Sequence, residues 1–182
     1  MSTTEIIGPT SAIKRPSRQD VMKSLAEHKC RLLGMAGGDY DLALADLSTG
    51  VGLIAGKIIW NSNPRNPRFD LTSLLQQTAA FAMGWADALK IKSETAYSSI
   101  LKERARQMQL YRDGELLFDC SSPSVDPKLK HRALLEELGE VAEAVDMFDA
   151  EAITPRHRHL YKELIQVAAV SVAWLESLEV KP

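Results

Sequence analysis

Residues 155–178, PRHRHLYKELIQVAAVSVAWLESL, decide the fold. Thr154 and Pro155 supply a helix start: a side-chain cap, then a proline where a missing N–H is harmless. From Leu164 to Leu175 only Gln166 and Ser171 interrupt an apolar run. A helix apolar on nearly every side has to be enclosed by other helices. The run is too short to span a bilayer. Glu163 lies about two turns inside this helix, too deep to cap its start. A carboxylate there needs a cation or a hydrogen-bonding partner. Gln166, three residues on, shares its face.

The preceding segment, HRALLEELGEVAEAVDM (131–147), supplies a partner helix. Leu134, Leu138, Val141 and Val145 form one stripe at helical spacing, widened by Leu135 and Ala142. At about 100° per residue, Glu137 sits at the stripe's edge and Glu140 roughly 60° further round. Glu136 and Glu143 point nearly the other way. Gly139 weakens a helix relative to alanine, which predicts a close approach at that point.

Strand signals are nearly absent, and Ala, Leu, Glu, Gln, Met and Lys dominate. The periodicity and turn residues predict helices over 19–33, 41–60, 69–90, 97–111, 128–148 and 155–178, an all-α chain. Residues 1–18, with Pro9 and Pro16, read as a flexible tail. The body divides into halves 19–95 and 96–182.

Composition narrows the function. The chain has 182 residues and a net charge of −2, with a pI near 6.1. A nucleic-acid polymer is not the expected partner, because there is no basic excess. Cys30 and Cys120 are far apart and belong to no metal-binding pattern, which fits a reducing, cytoplasmic setting. The polar N-terminus has no apolar export core, so no membrane partner is expected.

Glu137-x-x-Glu140, about twenty residues, then Glu163-x-x-Gln166 would put three carboxylates and an amide between two antiparallel helices. Hard cations take such oxygen donors, and Mg²⁺ favours a few carboxylates plus phosphate oxygens. HRALLEELGEVAEAVDM followed by YKELIQVAAVSVAWLESL resembles the MazG-like branch of the all-α nucleoside triphosphate pyrophosphohydrolases. Their signature is E-E-x-x-E, a spacer, then E-x-x-D. Residues 100–110, ILKERARQMQL, are similar to the helix that precedes it. The resemblance covers roughly 99–178. It implies Mg²⁺-dependent hydrolysis, with Mn²⁺ as a substitute, of a nucleoside triphosphate to the monophosphate and pyrophosphate. Carried over, Glu137, Glu140 and Glu163 are metal ligands and Glu136 an additional acid. The signature's final Asp is Gln166 here, a neutral donor, so Gln166 stands open between a ligand and a core amide. Lys102, Arg104 and Arg106 stand open between a solvated face and a triphosphate contact.

Residues 75–89, LQQTAAFAMGWADAL, align with 164–178, LIQVAAVSVAWLESL, matching at Leu75/Leu164, Gln77/Gln166, Trp85/Trp174 and Leu89/Leu178. Val51-Gly52-Leu53-Ile54-Ala55 echoes Leu138-Gly139-Glu140-Val141-Ala142. The order is the same in both halves, which reads as an internal duplication. The first copy carries Gly50, Leu53, Leu74 and Gln77 at the four ligand positions, with no carboxylate. Members of the resembled family commonly pair two such units, usually from separate chains. The first copy is therefore expected to act as a scaffold in cis, its equally apolar stretch Leu74–Leu89 packing against the 155–178 helix, with further homo-oligomerisation left open.

Overall fold

The computed structural model describes residues 39–60, 70–89, 91, 94–147 and 155–179. The expected tail (1–18), the helix expected over 19–33, the Thr154 cap and the Trp60 ring lie outside the described residues. The described residues form α1 (Tyr40–Trp60), α2 (Leu71–Ala88), α3 (Ala96–Arg112), α4 (Pro127–Asp146) and α5 (Pro155–Glu179), with no strand among them. Each agrees with its expected range within two residues. Local chemistry sets the starts. Thr95 Oγ1 accepts the Ser98 N–H at 3.3 Å to cap α3. Asp126 accepts the Lys128 N–H at 2.8 Å ahead of α4, with Pro127 in the first turn.

α1, α2, α5 and α4 form a ring in which each helix packs on the next, and α2 and α5 share the largest interface. α3 lies against α5 and touches α2. Every residue from Glu163 to Ser171 on α5 is buried, as is every residue from Thr78 to Ala86 on α2. The partner expected from the apolar stretch Leu74–Leu89 is thus the one α5 has. Trp85 and Trp174 are each 1% exposed. Trp85 stacks on Tyr40 at 6.0 Å and meets Phe81 edge-on at 6.3 Å, favoured geometries for paired rings.

Over Tyr40–Ile59, α1 is long and apolar enough by length and composition to cross a membrane, a run longer than Leu164–Leu175. Its Ala43, Leu47, Val51 and Ile54 are buried at the i, i+4 and i+3 spacing of a core-facing stripe. His131 Nε2 lies 3.2 Å from the Val51 carbonyl oxygen, tying α4 to α1.

Two readings of α4 need correction. Leu135 does not widen the buried stripe: it is 47% exposed, because α1 and α5 cover Leu134, Val141, Ala144 and Val145 instead. Gly139 answers to no close approach: a Cβ there would meet nothing within 4 Å. Gly139→Ala is therefore expected to stabilise the protein by about 0.5–1 kcal/mol, by restricting the unfolded chain. A denaturant midpoint that falls instead would restore the close-contact reading.

Candidate metal centre

Two cross-helix hydrogen bonds fix the register of α4 on α5. Lys130 Nζ donates to Ser177 Oγ at 2.6 Å, and Gln166 Nε2 donates to Glu137 Oε2 at 2.5 Å. Numbers that rise on one helix fall on the other, so the two run antiparallel. This brings one carboxylate oxygen each from Glu137, Glu140 and Glu163 within 4.8 Å of one another.

Glu163 is 0% exposed. Its Oε1 lies 3.1 Å from His159 Nδ1 and 3.0 Å from Lys162 Nζ. Its Oε2 is buried with no partner. A buried carboxylate oxygen left without a partner is costly. Glu137 is pushed up to about 7 by burial, with the Gln166 amide opposing and the charges of Glu140, Glu163 and Glu103 adding. Glu140 is raised by the adjoining Glu163 carboxyl, then by burial and by the Glu163 charge, with Lys162 and His159 opposing. Carboxylates that hold protons against one another are short of positive charge. A divalent cation supplies it, and three carboxylate oxygens are donors that Mg²⁺ or Mn²⁺ accepts. The residues therefore fit such an ion.

Glu136 is exposed and outside this cluster, as is Glu143. Gln166, only 8% exposed, is bonded by its amide to Glu137.

The three cations of α3 part company. Arg104 is 5% exposed, so neither a solvated face nor a free phosphate contact describes it. It bonds Glu176 and Gln107 at 3.0 Å each and lies 3.5 Å from Asp119. Glu176 is thirteen residues beyond Glu163, about 20 Å along the helix. Arg104 thus joins α3 to α5 away from the carboxylates. Lys102 pairs with Glu94 at 2.5 Å and Arg106 with Glu103 at 2.6 Å, both near the surface.

Two cavities flank the cluster. One of about 390 Å³ has Glu136, Glu137 and Arg106 in its wall, together with the 115–120 loop. The other, about 350 Å³, lies between α3 and α5 and includes Lys102, Arg106, Arg158 and Lys162. His159 and Lys162 were not singled out from the sequence as partners of Glu163. The i, i+4 spacing of His159 and Glu163 is the signal that points to the first. The Arg104–Glu176 pair spans 72 residues and leaves no local signal. No protein-family model, curated protein or solved structure matches this chain.

Proposed function

We propose that the chain is a Mg²⁺-dependent nucleoside triphosphate pyrophosphohydrolase. The carrying observation is the convergence of Glu137, Glu140 and Glu163 within 4.8 Å, with a buried Glu163 oxygen lacking any partner. Glu137, Glu140 and Glu163 would hold the ion, with Gln166 steadying Glu137. The ion would supply Lewis-acid stabilisation of charge on the phosphoryl oxygens. Glu136 shares the cavity wall with Glu137 and lies outside the ligand cluster. It is placed to accept the proton of a water that attacks the α phosphorus as the bond to the departing pyrophosphate breaks. The test is a panel of ribo- and deoxyribonucleoside triphosphates with Mg²⁺ or Mn²⁺, scored for pyrophosphate against orthophosphate. Pyrophosphate is expected; orthophosphate alone overturns the reading.

A duplicated MazG-like unit in a cytoplasmic protein is part of the same proposal. Gly50 faces Thr78 so closely that a Cβ would lie 3.0 Å from its Oγ1. This contact falls one residue beyond Gln77, the counterpart of Gln166, and supports a similar packing of α1 on α2. A cavity of about 300 Å³ lined by Gly50, Leu53 and Gln77 lies at the equivalent place.

One observation favours a second reading, a non-catalytic nucleotide-binding or protein-interaction module. The amide of Gln166 occupies a lone pair of Glu137 where the family signature has a fourth carboxylate. Gln166→Asp tests whether that position bears on the ion. It is expected to tighten Mg²⁺ binding by about an order of magnitude, roughly 1.4 kcal/mol. Calorimetry showing unchanged affinity would mean that residue 166 does not reach the ion.

A further inference from the structure

We infer that the substrate lies across the carboxylate cluster in one direction only: nucleoside in the 390 Å³ cavity, polyphosphate tail in the 350 Å³ cleft between α3 and α5. The inference rests on the hydrolase reading and assigns the ends of its substrate. Glu137 belongs to the wall of the first space. Lys162, bonded to Glu163, belongs to the wall of the second. Arg106 belongs to both. Glu137 thus borders one space and the Lys162 partner of Glu163 the other, and on the hydrolase reading the scissile α phosphate lies between them.

Charge sets the direction. The wall of the first cavity carries Glu115, Asp119, Glu136 and Glu137 and one cation, Arg106, with Arg104, outside the wall, 3.5 Å from Asp119. A polyanionic tail is repelled there, whereas a neutral base is not. The rest of that wall suits the faces of a base: Leu110, Phe118, Ala133 and Val170, with Leu117 97% exposed on the same loop. The cleft has the opposite balance, with Lys102, Arg106, Arg158 and Lys162 against Glu94 and Glu103. Three of those cations are held by carboxylates: Lys102 by Glu94, Arg106 by Glu103 and Lys162 by Glu163. Lys102, Arg106 and Lys162 are themselves 54–69% exposed as side chains. Ion pairs near the surface are weak, so Lys102 and Arg106 can exchange a carboxylate for phosphate oxygens at little cost, whereas Lys162 is held by the buried Glu163 until an ion takes up that carboxylate's charge. Arg158 is exposed at the start of α5. The phosphate contacts thus become Lys102, Arg106, Arg158 and Lys162, and Arg104 is excluded by its burial.

The test separates the two ends. Inorganic triphosphate with Mg²⁺, and separately adenosine and cytidine, are titrated by calorimetry into the full chain. Two variants are compared with it: Lys102→Gln/Arg158→Gln in the cleft and Ala133→Leu, which fills the cavity. The cleft variant is expected to weaken triphosphate about tenfold or more and leave nucleoside binding within about twofold. Ala133→Leu is expected to do the reverse. Should Ala133→Leu melt early, Leu117→Asp replaces it, since that side chain is almost wholly exposed. Loss of both ligands in the same variant, unchanged triphosphate affinity in the cleft variant, or no nucleoside binding by the unaltered chain overturns the assignment. Pyrophosphate release is measured in parallel. A split binding pattern without release removes the hydrolase and leaves the two ends. Release without the split pattern removes the two ends and leaves the hydrolase.

Discussion

On the proposed function, Glu163→Gln is expected to cut Mg²⁺-dependent pyrophosphate release by about a hundredfold or more, because several kcal/mol of charge stabilisation would pass through the ion that Glu163 would help to hold. The same change should stabilise the protein without metal. Glu163 is completely buried, with one oxygen lacking any partner, and a neutral amide is less costly there. Activity and stability thus move in opposite directions, which a purely structural glutamate would not produce. Glu137→Gln and Glu140→Gln should also remove most activity. Glu143→Gln should do less, since Glu143 is exposed and outside the cluster. Equal and mild effects at all four positions would reduce the carboxylates to packing.

The same cluster sets a pH dependence. Glu137 rises from 4.5 to about 7 on folding, mainly through burial, and Glu140 is raised as well. The folded protein therefore keeps a proton that the unfolded chain releases. Stability from this source is full below the unfolded value and falls as pH rises through about 7. Without metal, the melting temperature should be lower at pH about 8 than at about 5.5, and Mg²⁺ should recover it at the higher pH. A melting temperature indifferent to both pH and Mg²⁺ would contradict the metal centre.

What the sequence made legible follows the range over which each signal acts. Helix starts at Thr95 and Asp126-Pro127 depend on neighbours a few residues away, and the expected boundaries came close. Half-buried Glu137 and Glu140, against exposed Glu136 and Glu143, follow from the angular step of one helix. The pairing of α2 with α5 was legible because both are apolar on nearly every side. Arg104 was not legible, since its partners Asp119 and Glu176 lie on a loop and on another helix. Gly139 misled for a related reason. Its helical cost is real, but whether a neighbour fills the space beside it depends on packing that local sequence does not encode. Gln166 shows the same limit at the site: its chemistry is readable, but its choice of Glu137 as partner needs the register of two helices.

The chain 95–182 on its own is expected not to fold as a monomer. It keeps every carboxylate of the cluster but loses α1 and α2. α5 shares its largest interface with α2, so the truncation uncovers the side of α5 that α2 covers, while α4 loses the His131–Val51 tie to α1. Leu74, Leu75, Phe81, Met83 and Trp85 are among the buried α2 side chains removed. At about 1.5–3 kcal/mol for each large apolar side chain, their loss rivals the roughly 5–15 kcal/mol of net stability that a domain possesses. The carboxylates make this worse, because Glu163 stays buried only while α5 is enclosed. On the proposed duplication, Leu74, 2% exposed, stands where the second half has Glu163 and is buried without needing a counter-charge, while Leu53, at the counterpart of Glu140, is 40% exposed. The truncated chain should be insoluble, oligomeric or partly unfolded by light scattering and far-UV circular dichroism, while the full chain unfolds in one transition. Association of two truncated chains through α5 would be the same demand met in trans. A stable monomer of 95–182 with undiminished pyrophosphate release would show that the first half is not needed to enclose α5.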